Sequence, residues 1–159
     1  MCDYSLCGIP NRLAVESEEL VVHRFSTGSM GLASVADLRV CEEIKKAIPR
    51  QTIWQKVITF FEQPSQVATP PAVCIPPGAR LVARNIPADL QRRFHVGPEE
   101  AVVFTQITSE FNSYRDAIRF PGGCEVRLQD LREGMPMQVI SLEGASEYVP
   151  PAEIVEHLA

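Results

Sequence analysis

Short runs of β-branched and other apolar residues, separated by turn residues, account for most of the hydrophobic pattern of the chain. Runs of this length that alternate or stay apolar are typical of β-strands. They predict strands at Leu20–Phe25, Met30–Ala33, Arg80–Ile86, Ala101–Ile107 and Met137–Leu142. A short helix is expected at Asp89–Phe94, before Gly97-Pro98.

A β-hairpin is predicted around Pro121-Gly122-Gly123. Proline at the second and glycine at the third position favour a type II turn. Alternation places one set of side chains inward, and these are Ile118, Phe120, Cys124, Val126 and Leu128. The outward set is Arg119, Glu125 and Arg127, for which cross-strand charge pairing is expected.

The period changes from two to 3.6 at residue 34, which predicts a two-helix insert over residues 34–63. Ser34 and Asp37 resemble a capping box with Asp in place of Glu. The first helix carries its apolar residues at Leu38, Cys41, Ile44 and Ile48. The second, Gln51–Gln63, has a broad apolar stripe formed by Ile53, Trp54, Val57, Phe60 and Phe61.

Residues 64–79 form a proline-rich strap, with prolines at 64, 70, 71, 76 and 77. Proline lacks the N–H that an inner strand needs, so this stretch is expected to be extended and to contain no central strand. A short C-terminal helix is predicted over residues 151–158, with Pro151 at its first position.

These elements together predict a mainly β (α+β) protein. The expected architecture is a small, partly open β-barrel or curved antiparallel sheet, with the two-helix insert and the short C-terminal helix. Residues 128–142 resemble the SH3-like barrels of bacterial regulatory modules. The length of 159 residues fits one domain, 1–159.

Charge and composition narrow the classes of partner and compartment. The net charge of −5, with scattered basic residues, argues against nucleic-acid binding. No apolar run is long enough to predict a membrane span. The first residues lack a secretory signal, so a cytoplasmic location is expected, with the five cysteines reduced.

The cysteines are the first candidates for chemistry. If Met1 is removed, Cys2 becomes a terminal residue whose amine can act as base for its own thiol. Asp3-Tyr4 follows, rather than the Gly-Ile of amidotransferases, so a packed terminus is favoured over a catalytic Cys2. A thiolate-bound metal held by Cys2, Cys7 and Cys74 is the alternative, although the spacing is not that of a zinc knuckle. No cofactor is otherwise predicted, and Cys41 and Cys124 are expected to be buried as small apolar residues.

Two further groups are candidate binding residues. Trp54, Phe60 and Phe61 are expected to pack on the sheet; if they are exposed instead, they form a surface for a protein partner or a second copy of the chain. Tyr114-Arg115-Asp116 can bind an anion, although a local Arg–Asp interaction is favoured. No nucleotide-binding or metalloprotease motif occurs.

Three motifs carry a resemblance to a family of small bacterial proteins: Met1–Leu6, Val73–Gly78 and Asp116–Gly123. The resemblance implies a bacterial origin and a small β-rich fold, but no particular activity. Some members of that family have histidines where Tyr114 and Arg115 stand, so a metal role for this loop does not carry over. The resemblance draws attention to Cys2 and Cys74.

The leading hypothesis is a non-enzymatic binding or regulatory module that recognises a protein or a small ligand. The alternative is a thiol-centred site, metal-binding or catalytic, around Cys2 and Cys74. The alternative requires those two sulfurs to lie close together in the fold, within about 4–7 Å. The docking role of the second helix requires its aromatic residues to be exposed.

Overall fold

The computed structural model describes residues 6–47, 69–108 and 113–144. Within these residues the protein is mainly β, with one open sheet of nine strands. The strands are β1 (Asn11–Leu13), β2 (Glu19–Arg24), β3 (Met30–Ser34), β4 (Ala72–Cys74), β5 (Arg80–Ala83), β6 (Glu100–Gln106), β7 (Asp116–Arg119), β8 (Glu125–Arg127) and β9 (Pro136–Ser141). The two described helices are α1 (Val35–Ala47) and α2 (Ala88–Phe94), and a 3₁₀ turn (Leu128–Asp130) follows β8.

The strand order is β1-β4-β3-β2-β9-β5-β6-β7-β8. β1 runs parallel to β4, and the other neighbours are antiparallel. β9 lies between β2 and β5, so it joins the sheet built from the first four strands to the sheet built from the next four. The order leaves β1 and β8 at the two edges.

One face of the sheet carries the main hydrophobic core. Alternate residues of each strand point to this face, as the period of two in the sequence requires. Its buried members include Leu20, Val22, Leu32, Leu81, Phe104, Ile118, Met137 and Val139. α2 adds Leu90, and its Phe94 ring stacks on Phe120 with the centroids 5.5 Å apart.

A smaller cluster lies on the opposite face, beneath α1 and the segment before β1. Its members are Leu6, Ile9, Phe25, Ala33 and Ala72, with Leu38 of α1 packed against them. Gly31 of β3 makes this packing possible. A Cβ atom at position 31 would lie 2.9 Å from Leu6 Cδ1 and 3.0 Å from Phe25 Cε2, closer than side chains tolerate.

The predicted hairpin forms between β7 and β8, but its turn is not type II. A type II turn needs a positive φ at Gly122, whereas the positive φ, 82°, belongs to Gly123. The Gly123 N–H donates to the Phe120 carbonyl, and Phe120 N–H donates to Cys124. This is the three-residue hairpin loop that ends in a left-handed glycine.

The β2–β3 hairpin is built the same way. The N–H of Phe25 donates to Ser29, and the N–H of Gly28, whose φ is 83°, donates to Phe25. Because β-branched and bulky residues avoid positive φ, glycine is favoured at both positions.

The predicted faces of the β7–β8 hairpin are correct except at Cys124. Ile118, Phe120, Val126 and Leu128 are buried, and Arg119 pairs with Glu125 at 2.7 Å. Cys124 is exposed, because it precedes β8 in the turn, outside the part of the hairpin that covers the core. Cys41 is buried as predicted.

The expectation that the proline strap contains no central strand is wrong. Ala72–Cys74 form β4, which lies between β1 and β3. The prolines at 70, 71, 76 and 77 flank these residues, which keep their N–H groups: Ala72 donates to Pro10 and the Cys74 carbonyl accepts from Ala14. All three residues of β4 are buried.

The first predicted helix forms as α1, but its capping box does not. The Asp37 carboxylate accepts hydrogen bonds from Arg12 instead of from the helix start. Ile44, predicted to lie on the apolar face, is exposed. The second predicted helix, most of the strap and the C-terminal helix lie outside the described residues.

Gln129 links the 3₁₀ turn to β3. Its side-chain amide accepts a hydrogen bond from Met30 N–H at 3.0 Å and donates one to the Met30 carbonyl at 2.9 Å. The side chain thus makes the pair of hydrogen bonds that a neighbouring strand would make, and it ties the end of β8 to the other half of the sheet.

Candidate functional site

The two edges of the sheet differ in how they are protected against pairing with another chain. β8 presents Glu125 and Arg127, both charged, and ion pairs hold them to Arg119 and Asp130. Charged residues on a short edge strand discourage further strand pairing. β1 carries one charged residue, Arg12, and its other two side chains, Asn11 and Leu13, are uncharged and exposed. This less protected edge is the candidate functional site.

Along the outer edge of β1, backbone N–H and C=O groups are directed away from β4, as they are in a strand that can pair with another strand. In a parallel pair, alternate residues direct both their N–H and C=O to one side. Pro10 and Ala14 bond β4, so Asn11 and Leu13 direct their groups away from it. The Leu13 carbonyl accepts an exposed hydrogen bond from Arg12 at 3.2 Å. No further strand lies beside this edge in the part of the chain that the structure describes.

Exposed apolar side chains accompany the exposed backbone. Leu13 is 72% exposed and Val15 is 61% exposed, the two highest values among the exposed large hydrophobic residues. Single exposed apolar residues are ordinary, but two beside an unpaired strand edge indicate a contact surface.

α1 extends this surface. Its Asp37 contacts Arg12 of β1, so the helix side that carries Asp37 is the side toward β1. Val40 and Ile44 follow Asp37 by three and seven residues, which places them near the same side of the helix. They are 54% and 45% exposed. We call Leu13, Val15, Val40 and Ile44 the edge surface.

An ion triad fixes the geometry beneath the edge surface. Arg12 donates to Asp37 Oδ2 through Nε at 3.0 Å and through Nη2 at 2.7 Å. It also donates to Glu18, through Nη1 at 3.2 Å and through a short Nη2 contact. Glu18 in turn accepts the Val15 N–H at 3.0 Å. Arg12 thus ties β1 to α1 and to the loop after β1.

The pKa directions agree with this arrangement. The pKa of Arg12 is raised, chiefly by its hydrogen bond to Glu18, against the opposing effect of burial. Burial alone would raise the pKa of Glu18, but hydrogen bonds from Arg12 and Val15, the charge of Arg12 and a hydrogen bond from Ser34 lower it. Both directions favour the charged forms of Arg12 and Glu18.

Removing the cation of the triad is expected to destabilise the protein and to change its response to acid. Arg12→Met leaves two carboxylates without their partner, which we expect to cost about 1–3 kcal/mol of unfolding free energy at pH 7. Because the pKa of Glu18 is lowered, its contribution is present above its ordinary value of 4.5 and is lost as pH falls through the folded value. Without Arg12 the pKa of Glu18 is lowered less, so Arg12→Met should lose less unfolding free energy than the parent as pH falls through this range.

The measurement is urea unfolding of both proteins between pH 3 and pH 8. Arg127→Met is the matched control, since its ion pair with Asp130 is exposed and should contribute less than about 1 kcal/mol. His23 affects stability in a different pH range. Burial lowers its pKa, so the folded protein begins to lose stability through His23 as pH falls below the ordinary value of 6.5. Equal acid sensitivity of Arg12→Met and the parent below pH 4.5 would contradict the role of the triad.

The predicted thiol residues fall in different environments. Cys7 is an exposed free thiol, and Cys41 and Cys124 are also free. Cys74 is buried at the end of β4 and is disulfide-bonded, contrary to the expectation that all five cysteines are reduced. The sequence places no other cysteine near position 74, so only the fold brings a second sulfur to it. Cys2, the candidate for a catalytic role that was weighed against a packed terminus, lies outside the described residues.

The predicted binding triplet is split by the start of β7. Tyr114 is exposed, whereas Asp116 is buried in the strand and accepts a hydrogen bond from Gln106 at 3.2 Å. The backbone carbonyl of Arg115 accepts from Ile107. Asp116 thus has a partner on the neighbouring strand β6.

The other predicted sites are the aromatic residues of the second helix and the metal site. Trp54, Phe60 and Phe61 lie outside the described residues. No cluster of three or more metal-ligating side chains occurs in residues 6–47, 69–108 and 113–144.

A cleft of about 260 Å³ opens between α2 and the 3₁₀ turn, lined by Pro87, Asp89, Leu90, Asp130, Leu131 and Arg132. It is smaller than the roughly 300–1,000 Å³ of typical small-molecule sites.

Comparison of the chain with protein-family models, with curated proteins and with solved structures finds no match. Among the described helices, none has the length and apolar character needed to cross a membrane.

Proposed function

We propose that the protein is a non-enzymatic binding module that takes an extended segment of a partner protein beside β1. The observation that supports this most directly is the outer edge of β1. There the backbone groups of Asn11 and Leu13 point away from β4 and bond no other described strand, and exposed apolar side chains lie beside them. An extended peptide can add to such an edge through main-chain hydrogen bonds, and pockets for its alternate side chains supply specificity.

The charges around β1 define the chemistry of the partner. Arg12 is neutralised by Glu18, which leaves the Asp37 carboxylate in excess, and Glu16 adds a second exposed negative charge on the loop after β1. The edge surface itself is apolar. An extended segment that alternates apolar residues with lysine or arginine complements both features, since charge complementarity steers association and selects partners.

Two other occupants are less well supported. The cleft beside α2, at about 260 Å³, is below the roughly 300–1,000 Å³ of typical small-ligand sites. A second copy of the chain would pair along a strand of only three residues, which buries far less than the roughly 1,000 Å² of a stable interface unless other surfaces join. The docking role of the second predicted helix and a cytoplasmic location stay predictions.

Binding of synthetic peptides tests the proposal. A ten-residue peptide of alternating Val and Lys, labelled for fluorescence anisotropy, should bind more tightly than one of alternating Val and Glu. Methylation of the backbone nitrogens on one side of the Val-Lys peptide should abolish binding, because strand addition uses those N–H groups. Equal binding of the methylated and unmethylated peptides would overturn the proposal.

Leu13→Lys places a positive charge on the edge surface and should weaken Val-Lys binding by at least about tenfold. Ile140→Lys is the matched control: Ile140 is also exposed, at 46%, but its strand β9 is paired on both sides. We expect it to bind as the parent does. Sedimentation velocity on the same proteins identifies a dimer, and a dimer that Leu13→Lys dissociates would contradict the assignment to a partner segment.

We propose in addition that the sheet curls toward a partly closed barrel from β3 to β8. The hydrogen bonds between Gln129 and Met30 support this shape, because they join the two ends of that strand series. The curvature would leave β1 and β4 outside the barrel, where the β1 edge is accessible.

A further inference from the structure

The series of outward-facing backbone groups along β1 ends at Val15. Val15 follows Leu13 by two residues, so it is the next residue that would present its backbone groups along this edge. Its N–H donates to Glu18 Oε2 at 3.0 Å instead, and its carbonyl accepts the Glu18 N–H at 3.2 Å. Ser17, with a φ of 64°, lies in the turn between them. Glu18 therefore uses both backbone groups with which the edge would continue.

The other end of the edge is closed before β1 begins. Pro10 has no N–H to offer a partner, and the Ile9 N–H donates to the Leu6 carbonyl at 3.0 Å. Between the two closed ends lie Asn11 and Leu13. Neither of their N–H groups donates to another group in the described part of the chain. The edge that a partner can use is therefore short.

Glu18 is held firmly against displacement by a partner. Its side chain is only 13% exposed, and Arg12 donates to both of its carboxylate oxygens. A hydrogen bond to an ionised group is roughly twice as strong as one between neutral groups. The neutral carbonyl of a partner segment is thus a weaker acceptor for the Val15 N–H than Glu18 is. The Leu13 carbonyl differs, because it accepts Arg12 Nη1 at 3.2 Å and still has a second lone pair for a partner N–H.

We infer that Glu18 sets the length of the segment that the β1 edge binds: the backbone of the partner pairs with residues 11–13 and not with Val15. This inference rests on the proposed function of the β1 edge. Asn11 and Leu13 each have one N–H and one carbonyl, so at most about four main-chain hydrogen bonds form. The two residues lie about 7 Å apart along the strand. The partner is therefore a short extended stretch, and its flanking residues contact the edge surface through side chains only.

Hydrogen exchange of the chain's own amides, followed by NMR on the isotope-labelled protein, tests this inference. Without peptide, the amides of Asn11 and Leu13 should exchange rapidly and that of Val15 should be protected. The ten-residue Val-Lys peptide at saturation should slow exchange at Asn11 and Leu13 by about tenfold or more and leave Val15 within about twofold. Slowing of Val15 to the same extent as Asn11 and Leu13 would overturn the inference. Absence of protection at Asn11 and Leu13 would refute the proposed function itself.

Glu18→Ala removes the group that closes the edge. Without peptide, the Val15 amide of this variant should exchange at least about tenfold faster than in the parent, and the peptide should then protect it as it protects Leu13. Asp37→Ala is the matched control: it also removes one carboxylate from Arg12 but leaves the bond between Glu18 and Val15. It should keep the exchange pattern of the parent.

The affinities of the two variants provide a second measurement. Both lose one negative charge, but only Glu18→Ala gains a hydrogen bond to the peptide, so it should bind the Val-Lys peptide about two- to tenfold more tightly than Asp37→Ala does. Equal affinities, together with a Val15 amide that the peptide leaves unprotected in Glu18→Ala, would show that Glu18 does not limit the pairing. The exchange measurement on the parent needs no substitution, so it decides the question even where Glu18→Ala fails to fold.

Discussion

Phe120→Ala is expected to lower the free energy of unfolding by about 3–5 kcal/mol, the range for removing a large buried aromatic side chain. Phe120 is 2% exposed and belongs to the main core at the end of β7. Its ring stacks on Phe94 of α2. The substitution removes the apolar contact area, leaves a cavity, and deprives α2 of the ring that it packs against.

Urea unfolding followed by circular dichroism measures this effect. Leu13→Ala is the control, because a side chain that is 72% exposed should change stability by no more than about 0.5 kcal/mol. Phe120→Leu should fall between the two, since it refills part of the cavity. A loss below about 1 kcal/mol for Phe120→Ala would contradict the placement of this ring in the core.

Gln129→Leu is expected to cost about 2–3 kcal/mol, because it leaves two backbone groups of a buried residue without hydrogen bonds. Met30 is 2% exposed, and the Gln129 side chain supplies the partner for both its N–H and its carbonyl. Leucine has nearly the same volume but neither a donor nor an acceptor. The loss should therefore arise from the unsatisfied backbone of β3 rather than from a packing defect.

Gln138→Leu is the matched control for that prediction. Gln138 accepts a hydrogen bond from Arg84, whose side chain is exposed enough to bond water instead. We expect a change within about 0.5 kcal/mol, as for other surface substitutions. Thermal unfolding of the two variants beside the parent provides the comparison. Equal stability of Gln129→Leu and Gln138→Leu would show that the amide of Gln129 does not tie the 3₁₀ turn to β3.

The longer strands were predictable because their length lets the period of two appear. β2, β3, β6, β7 and β9 all follow apolar runs in the sequence. β1 and β4 have three residues each, too few for a period to be distinguished from a loop. β4 was also obscured by the flanking prolines, which lack a backbone N–H themselves but leave the N–H groups of Ala72–Cys74 free to pair.

The candidate site was harder to predict, because it depends on which strand lies at an edge. Leu13 and Val15 are unremarkable in the sequence, and their significance comes from the position of β1 beyond β4. Arg12 and Asp37 are 25 residues apart, so their ion pair leaves no local pattern. Ile44 had the spacing of a buried residue, yet α1 packs on the sheet chiefly through Cys41 and Leu38. Periodicity identifies an apolar stripe but not which part of it is covered.

The position of β9 has a consequence for the order of folding. Residues 136–141 form the strand that joins β2 to β5. The two halves of the sheet therefore cannot be linked by strand pairing until this late segment of the chain is in place. Until then, β2 and β5 each present an open edge, the condition under which intermediates associate. Pairings between distant segments also slow folding. We therefore expect refolding to be slow and sensitive to protein concentration, with the insertion of β9 as its limiting step.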